Sequence, residues 1–194
     1  MRVIAGSARG RRLRAGRGPA IRPTASKTKG AIFSILASRY EVEGIDILDL
    51  FAGAGSLGIE ALSRGARSVT FIEKDATAAR ILRANLEGCR LAGQGRVVQA
   101  ALPGALRRLD GGARFGGVLL DPPYGRGLAE ATLAQLGSLR LLEPGGWIVA
   151  EHAVDEPIST SHGSLRLTDA RRYGKTALAI FLCDGEVESP QTER

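Results

Sequence analysis

Two short runs hold most of the chemistry that this chain could perform: LDLFAGAGSLG (Leu48 to Gly58) and LLDPPYG (Leu119 to Gly125). Each reads as the carboxyl end of a parallel strand, the edge where open α/β sheets place their ligands. In the first, Gly53, Gly55 and Gly58 match G-x-G-x-x-G, whose glycines allow a sharp turn and close approach of backbone to ligand. Asp49, Phe51, Ala52, Gly53 and Gly55 are the candidate cofactor contacts of that turn. Glu73, in the later run FIEKD, ends the next strand and can accept hydrogen bonds from both hydroxyls of a ribose, with Lys74 beside it.

The glycine pattern serves NAD and S-adenosylmethionine equally well. A dehydrogenase would also need a substrate domain and a group to manage the hydride's proton, and neither is plain here. Asp49-Leu50-Phe51-Ala52 ahead of the glycines, together with the second run, favour S-adenosylmethionine. A hydrolase is the other rival, because Ala54 to Gly58 nearly matches the nucleophile elbow and Asp121 and His152 follow Ser56 in order. That elbow needs an oxyanion loop from an earlier strand, and too little chain precedes Ser56 to supply one.

The second run suits methyl transfer to the amino group of a base. Such an amine is nearly planar, its lone pair delocalised into the ring, and attack on a methyl requires that pair to return to nitrogen. Asp121 is acceptor-only when ionised. The Pro122 carbonyl can take the second N–H, Pro123 stiffens the turn, and Tyr124 can stack on a base that has left its helix. No metal is required, since the cofactor's positive sulfur drives the step and the protein orients it.

Alternating elements must position these runs. Strands are expected at Ile45–Leu50, Ser68–Ile72, Arg96–Gln99, Gly117–Leu120 and Trp147–Ala150. Helices are expected at Ser56–Arg64, Asp75–Cys89, Pro103–Leu109 and Leu128–Leu136. This implies one mostly parallel sheet with helices on both faces. Two β-rich runs around Tyr173-Gly174-Lys175 then read as an antiparallel hairpin. Upstream, IRPT introduces a helix whose apolar face is Ala31, Ile32, Phe33, Ile35 and Leu36, and MRVIAG and RRLRA pair as a short basic hairpin.

Charge divides the chain unevenly. Residues 1–40 hold ten Lys/Arg and no Asp or Glu, so the remainder carries 17 basic against 20 acidic residues. A basic head on a mildly acidic body points to a polyanion, with Arg2, Arg9, Arg11, Arg12, Arg14, Arg17 and Arg22 as candidate RNA contacts. Two isolated cysteines and two histidines fit neither a disulfide framework nor a metal site. No apolar run approaches the ~20 residues needed to span a bilayer, and Met1 is followed by arginines rather than a secretory segment, so a cytoplasmic setting is expected.

These residues resemble the bacterial guanine-N2 methyltransferases of 16S ribosomal RNA, the RsmD family. The resemblance covers RVIAGSARGRRL, IRPT with AIFSIL, LDLFAGAGSLGIEALSRGA, FIEKD, LLDPPY and RRYGKTAL, nearly the whole chain. It implies a Rossmann-like class I methyltransferase with a seven-stranded sheet, finished by an antiparallel edge strand. It also implies S-adenosylmethionine on Asp49 to Gly58 with Glu73 on its ribose, and Thr24 and Arg22 near the cofactor's mouth. The target guanine would sit against Asp121 to Tyr124, in ribosomal RNA that is either naked or within an assembling small subunit. Two positions depart from the pattern. Gly30 stands where the family usually has an acid, and Ala101, followed by Leu102, stands where an Asp or Asn often meets the adenine amino group.

The resulting division is a basic RNA-binding extension and helix at 1–40, a cofactor-binding domain at 41–184 and a frayed tail at 185–194. Adenine-N6 methylation and a catalytically inactive RNA-binding assembly factor are the alternatives. Retention of Glu73 and of the full DPPY run argues against the second.

Overall fold

The computed structural model describes residues 1–15, 26–109, 112 and 114–184. Five parallel strands form the centre: β1 (Asp46–Leu50), β2 (Ser68–Glu73), β3 (Gly95–Gln99), β4 (Phe115–Leu120) and β5 (Leu142–Ala153). Antiparallel β6 (Ser161–His162), β7 (Leu165–Tyr173) and β8 (Thr176–Cys183) complete the sheet, in the order β3-β2-β1-β4-β5-β8-β7-β6. The expected seven strands become eight. The addition is β6, two residues long and too short to show an alternating pattern.

Strand order reverses between β1 and β4, whose carboxyl ends lead into the two chemical runs. This is the switch point where open sheets of this kind form a ligand crevice. All six residues of β4 are buried, as expected for a central parallel strand covered on both faces. Gly117 serves that burial directly, because a Cβ there would lie 2.3 Å from the Trp147 ring.

Among the described residues four helices cover the sheet: α1 (Ser26–Arg39), α2 (Ser56–Ser63), α3 (Ala76–Cys89) and α4 (Leu128–Ser138). Asp75 caps α3 by accepting from the Ala78 N–H at 2.7 Å, a standard side-chain N-cap. The helix expected at Pro103–Leu109 is instead a 3-10 turn, Gly104–Arg108. Only Ala105 and Leu106 are buried there, too small an apolar face to stabilise a longer helix. Among the described residues no helix is long and apolar enough to cross a membrane.

The N-terminal run forms the short hairpin expected of it, without regular strands. Among the described residues its only β pairing is one antiparallel bridge, Arg2 with Arg12, flanked by hydrogen bonds from Val3 N–H to Arg11 O and Leu13 N–H to Met1 O. Val3, Ala8 and Leu13 are buried in the same core as Phe33, Leu36, Ile59 and Leu62. The arm is thus packed into the body. Its arginine side chains Arg2, Arg9, Arg11, Arg12 and Arg14 remain exposed.

Candidate active site

The glycine-rich turn is shaped by what lies beneath it. Asp49, on β1, is 1% exposed and its Oδ2 accepts from the Gly58 N–H at 2.8 Å. A Cβ at Gly58 would stand 2.8 Å from that oxygen and 2.3 Å from the Phe71 ring, so the position requires glycine. Gly55 precedes α2 at φ +84°, and a Cβ there would strike Leu82 at 2.1 Å. Phe51 also has positive φ (60°), an uncommon conformation for a bulky residue that clusters at ligand sites.

Glu73 grips the same loop from β2. Its Oε2 accepts from the Gly53 N–H at 2.8 Å and its Oε1 from the Asp75 N–H at 2.7 Å. Each carboxylate oxygen keeps a second lone pair that a ribose hydroxyl can use. Burial pushes the Asp49 carboxyl up to about 8; the Gly58 hydrogen bond opposes this, and the charges of Asp121 and Glu73 add to it. Asp49, Glu73 and Asp121 thus meet at the ends of β1, β2 and β4, and with Asp49 largely protonated at neutral pH it is the Glu73 and Asp121 carboxylates that favour a cationic ligand. Lys74 and Ala101 are exposed and Leu102 is half-buried. The Ala100 N–H bonds to Glu73 O at 3.1 Å, which holds this segment beside the loop.

Asp121 begins the second run, its N–H directed at Leu50 O at 3.4 Å. Pro122 is buried and Pro123 exposed. The Tyr124 hydroxyl donates to Glu151 Oε1 at 2.6 Å and lies 2.9 Å from Thr176 Oγ1. Burial and the Glu151 carboxylate hold this phenol protonated, raising its proton affinity above the ordinary value. Glu156 secures the following loop: its Oε1 accepts from the N–H groups of Gly125, Arg126 and Gly127 at 2.8, 3.2 and 3.3 Å. A cavity of about 510 Å³ adjoins that loop, lined in part by Gly127, Glu130, Glu156 and Ile158, and includes none of Asp49, Glu73 or Asp121.

The fold brings Asp49, Phe51, Ala52, Gly53, Gly55, Glu73 and the Asp121–Tyr124 run to one edge. It does not assemble a hydrolytic triad. Ser56 Oγ is buried without a hydrogen-bond partner, and His152 Nδ1 faces Ala153 O. Thr24, Arg17 and Arg22 lie outside the described residues.

Sequence reading missed the residues that hold these parts in place. Glu60, on α2, accepts from the N–H groups of Ile4 and Ala5 at 2.8 and 3.0 Å, and pairs with Lys29 at 3.3 Å and Arg64 at 2.9 Å. Lys29 also donates to Arg2 O at 2.8 Å. Asn85 accepts from the Arg14 N–H and donates to Arg14 O and Ala54 O, linking the arm to the glycine loop. Of the missed residues, Glu60 and Thr176 lay inside runs that carry the family resemblance, LDLFAGAGSLGIEALSRGA and RRYGKTAL, without their roles being readable there.

A mostly parallel sheet, a glycine-rich turn and an acidic strand end at its switch point, and an antiparallel closing hairpin define the class I methyltransferase fold. The chain belongs to the family described as Conserved hypothetical protein 95, whose profile matches residues 1–182; this is the RsmD family. It is 33% identical to the Ribosomal RNA small subunit methyltransferase D of Escherichia coli strain K12, over 97% of this chain and 93% of that protein. A solved hypothetical protein of Thermus thermophilus superposes with TM-score 0.80 at 32% identity, over 93% of this chain and 98% of that one. The fold is shared more widely. An RNA methyltransferase from Salinibacter ruber, solved with S-adenosyl-L-homocysteine, has TM-score 0.64 at 15% identity, over 89% of this chain and 100% of that one.

Proposed function

We propose that this chain transfers a methyl group from S-adenosylmethionine to the exocyclic N2 of a guanine in small-subunit ribosomal RNA. The observation that carries the reading is Asp121 at the end of β4, beside the glycine loop, with the Tyr124 ring fixed next to it by Glu151 and Thr176. The family relationship to a ribosomal RNA small subunit methyltransferase supports the substrate class. The acidic cluster and the left-handed glycine turn fit a cationic, nucleoside-bearing donor.

S-adenosylmethionine supplies an electrophilic methyl on positively charged sulfur. Asp121 accepts an amino N–H of the flipped base, and the Pro122 carbonyl accepts the other. Both bonds favour a pyramidal nitrogen whose lone pair points at the methyl. As the N–C bond forms the S–C bond breaks, the sulfonium becoming a neutral thioether, and the nitrogen passes its extra proton to the Asp121 carboxylate that holds it and from there to solvent. Tyr124 stacks on the ring and fixes the line of attack. Guanine fits Asp121 better than adenine does: its N1–H and N2–H are adjacent donors to one acceptor, whereas adenine N1 is itself an acceptor. Phosphates are held by the exposed arginines of the arm.

Incubation with ribosomal RNA and labelled S-adenosylmethionine, followed by nucleoside mass spectrometry, tests this reading. N2-methylguanosine is the expected product, and N6-methyladenosine overturns the assignment. Asp121→Ala is expected to lower turnover by ~10²–10³, the scale for losing one oriented transition-state partner, while cofactor affinity changes far less.

A further inference from the structure

Of the YGKT hairpin only Thr176 enters the chemistry above, through the Tyr124 hydroxyl, and the rest of its tip stands at the same edge. Thr176 pairs with Ala153 at the carboxyl end of β5 and directly opposes Tyr173 on β7. Directly opposed residues of an antiparallel pair project from the same face of the sheet. Tyr173 therefore shares a face with Thr176, whose hydroxyl touches that of Tyr124. Tyr173 is 39% exposed, and only Ile4 joins it among the described large hydrophobic residues as comparably exposed. An uncovered aromatic within one side chain of the base-holding tyrosine is unlike the rest of this surface.

The charges at the tip favour a polyanion. Arg172 and Lys175 are exposed, and the Arg172 Nε–H donates only to the turn carbonyl of Gly174 in the interactions described, at 3.2 Å. Arg126 is exposed on the loop that follows Tyr124. Arg171 is engaged by Asp169, which also holds Arg39, and by the hydroxyl of Tyr173. Of the neighbouring acids, Glu156 faces loop N–H groups and Asp155 is exposed.

We propose that the β7–β8 tip is a second RNA-contacting surface, with Tyr173 stacking a nucleotide next to the target base and Arg172 and Lys175 taking phosphates. Base–aromatic stacking tolerates any sequence because every base has a π-face. The surface would thus hold the strand open beside the flipped guanine while Asp121 selects the base. This inference rests on the RNA-methyltransferase reading.

The test measures affinity for labelled small-subunit ribosomal RNA, cofactor affinity and thermal midpoint for wild type, Tyr173→Leu, Tyr173→Phe and the double variant Arg172→Gln/Lys175→Gln. Tyr173→Leu keeps apolar bulk and is expected to weaken RNA binding about tenfold, with Tyr173→Phe within about twofold of wild type. The double variant should reduce the log–log salt slope by roughly 1.4, at about 0.7 per single-strand phosphate contact. Cofactor affinity should stay unchanged throughout. A Leu variant that binds RNA as wild type does overturns the stacking role, and an unchanged salt slope overturns the phosphate role. Should the Leu variant lose thermal stability, the Phe variant and the double Gln variant still decide. Variants that bind naked RNA normally but fail on a protein-bearing subunit would place a protein there instead, and the proposal falls. If wild type binds RNA and yields a methylated base other than guanine, the reading above fails while the hairpin surface stands. If wild type binds no RNA, both fail.

Discussion

Glu60 and Glu151 are both almost wholly buried, at 0% and 5% exposure, and each holds an outlying part of the molecule to the core. They do so by different means. Glu60 grips backbone: the N–H groups of Ile4 and Ala5, with the Lys29 and Arg64 cations beside it. Glu151 grips a side chain, the hydroxyl of Tyr124. A backbone grip is blind to the identity of what it holds, so the arm can vary while its holder cannot. A side-chain grip fixes both ends, and it places a particular ring in a particular plane.

The largest effect should come from the backbone grip. Glu60→Ala removes the acceptor for two half-buried N–H groups and leaves Lys29, whose side chain is 3% exposed, without its carboxylate. Breaking a buried pair from one side costs about 3–5 kcal/mol, to be read as a fall in the urea midpoint. Ile4→Ala, in the gripped segment and 40% exposed, should cost under ~0.5 kcal/mol as a surface change. Equal costs for the two would break the comparison.

That asymmetry also explains what the sequence disclosed. The sheet, its helices and the two chemical runs follow local rules of apolar alternation, glycine turns and strand-end motifs, and they were legible. The arm's placement was not, since ten basic residues with no acid read as an extension. The acid that holds it lies about 55 residues away on α2. Glu151 and Glu156 were equally silent, because a single acid in a strand or loop has no periodicity to betray a long-range partner. Lys29 sat in a run read for its apolar neighbours, where a basic residue looks solvated.

The side-chain grip should act on turnover more than on folding. Tyr124→Phe removes the hydroxyl from Glu151 and Thr176 and keeps the ring. Hydrogen bonds to charged groups are worth about 1.5–3 kcal/mol, so turnover should fall some tenfold or more while cofactor affinity holds. Glu151→Leu, which removes the acceptor, should resemble Tyr124→Phe, and the double variant should add little to either, as coupled partners do. Additive losses in single-turnover kinetics would mean that the two residues act separately.

Glu73 combines both modes, holding Gly53 and Asp75 by their N–H groups and, in the proposed reading, a ribose by its hydroxyls. Glu73→Ala should weaken S-adenosylmethionine binding by roughly 1.5–3 kcal/mol, measured by calorimetry. Glu73→Gln keeps an acceptor and should lose less. A matching loss for both variants would assign the effect to charge rather than to the grip.

Asp49 sharpens the contrast most finely, because it grips backbone as Glu60 does but without a cation. It accepts the Gly58 N–H, and the charges acting on it are those of Asp121 and Glu73. Burial pushes its carboxyl up to about 8 from an ordinary 3.8. The folded chain therefore binds a proton here that the unfolded chain has already released. Stability from this group is complete below the unfolded value, declines as pH rises, and is lost once pH passes the folded value. Between pH 7 and 9 the group should cost wild type about 1.4 kcal/mol. Asp49→Asn keeps an acceptor for Gly58 and cannot ionise, so its stability relative to wild type should rise by that amount over the same interval. Urea midpoints at the two pH values measure the difference. Parallel curves would show that Asp49 is ionised throughout, and that the loop grip at β1 carries its charge as easily as Glu60 carries its own.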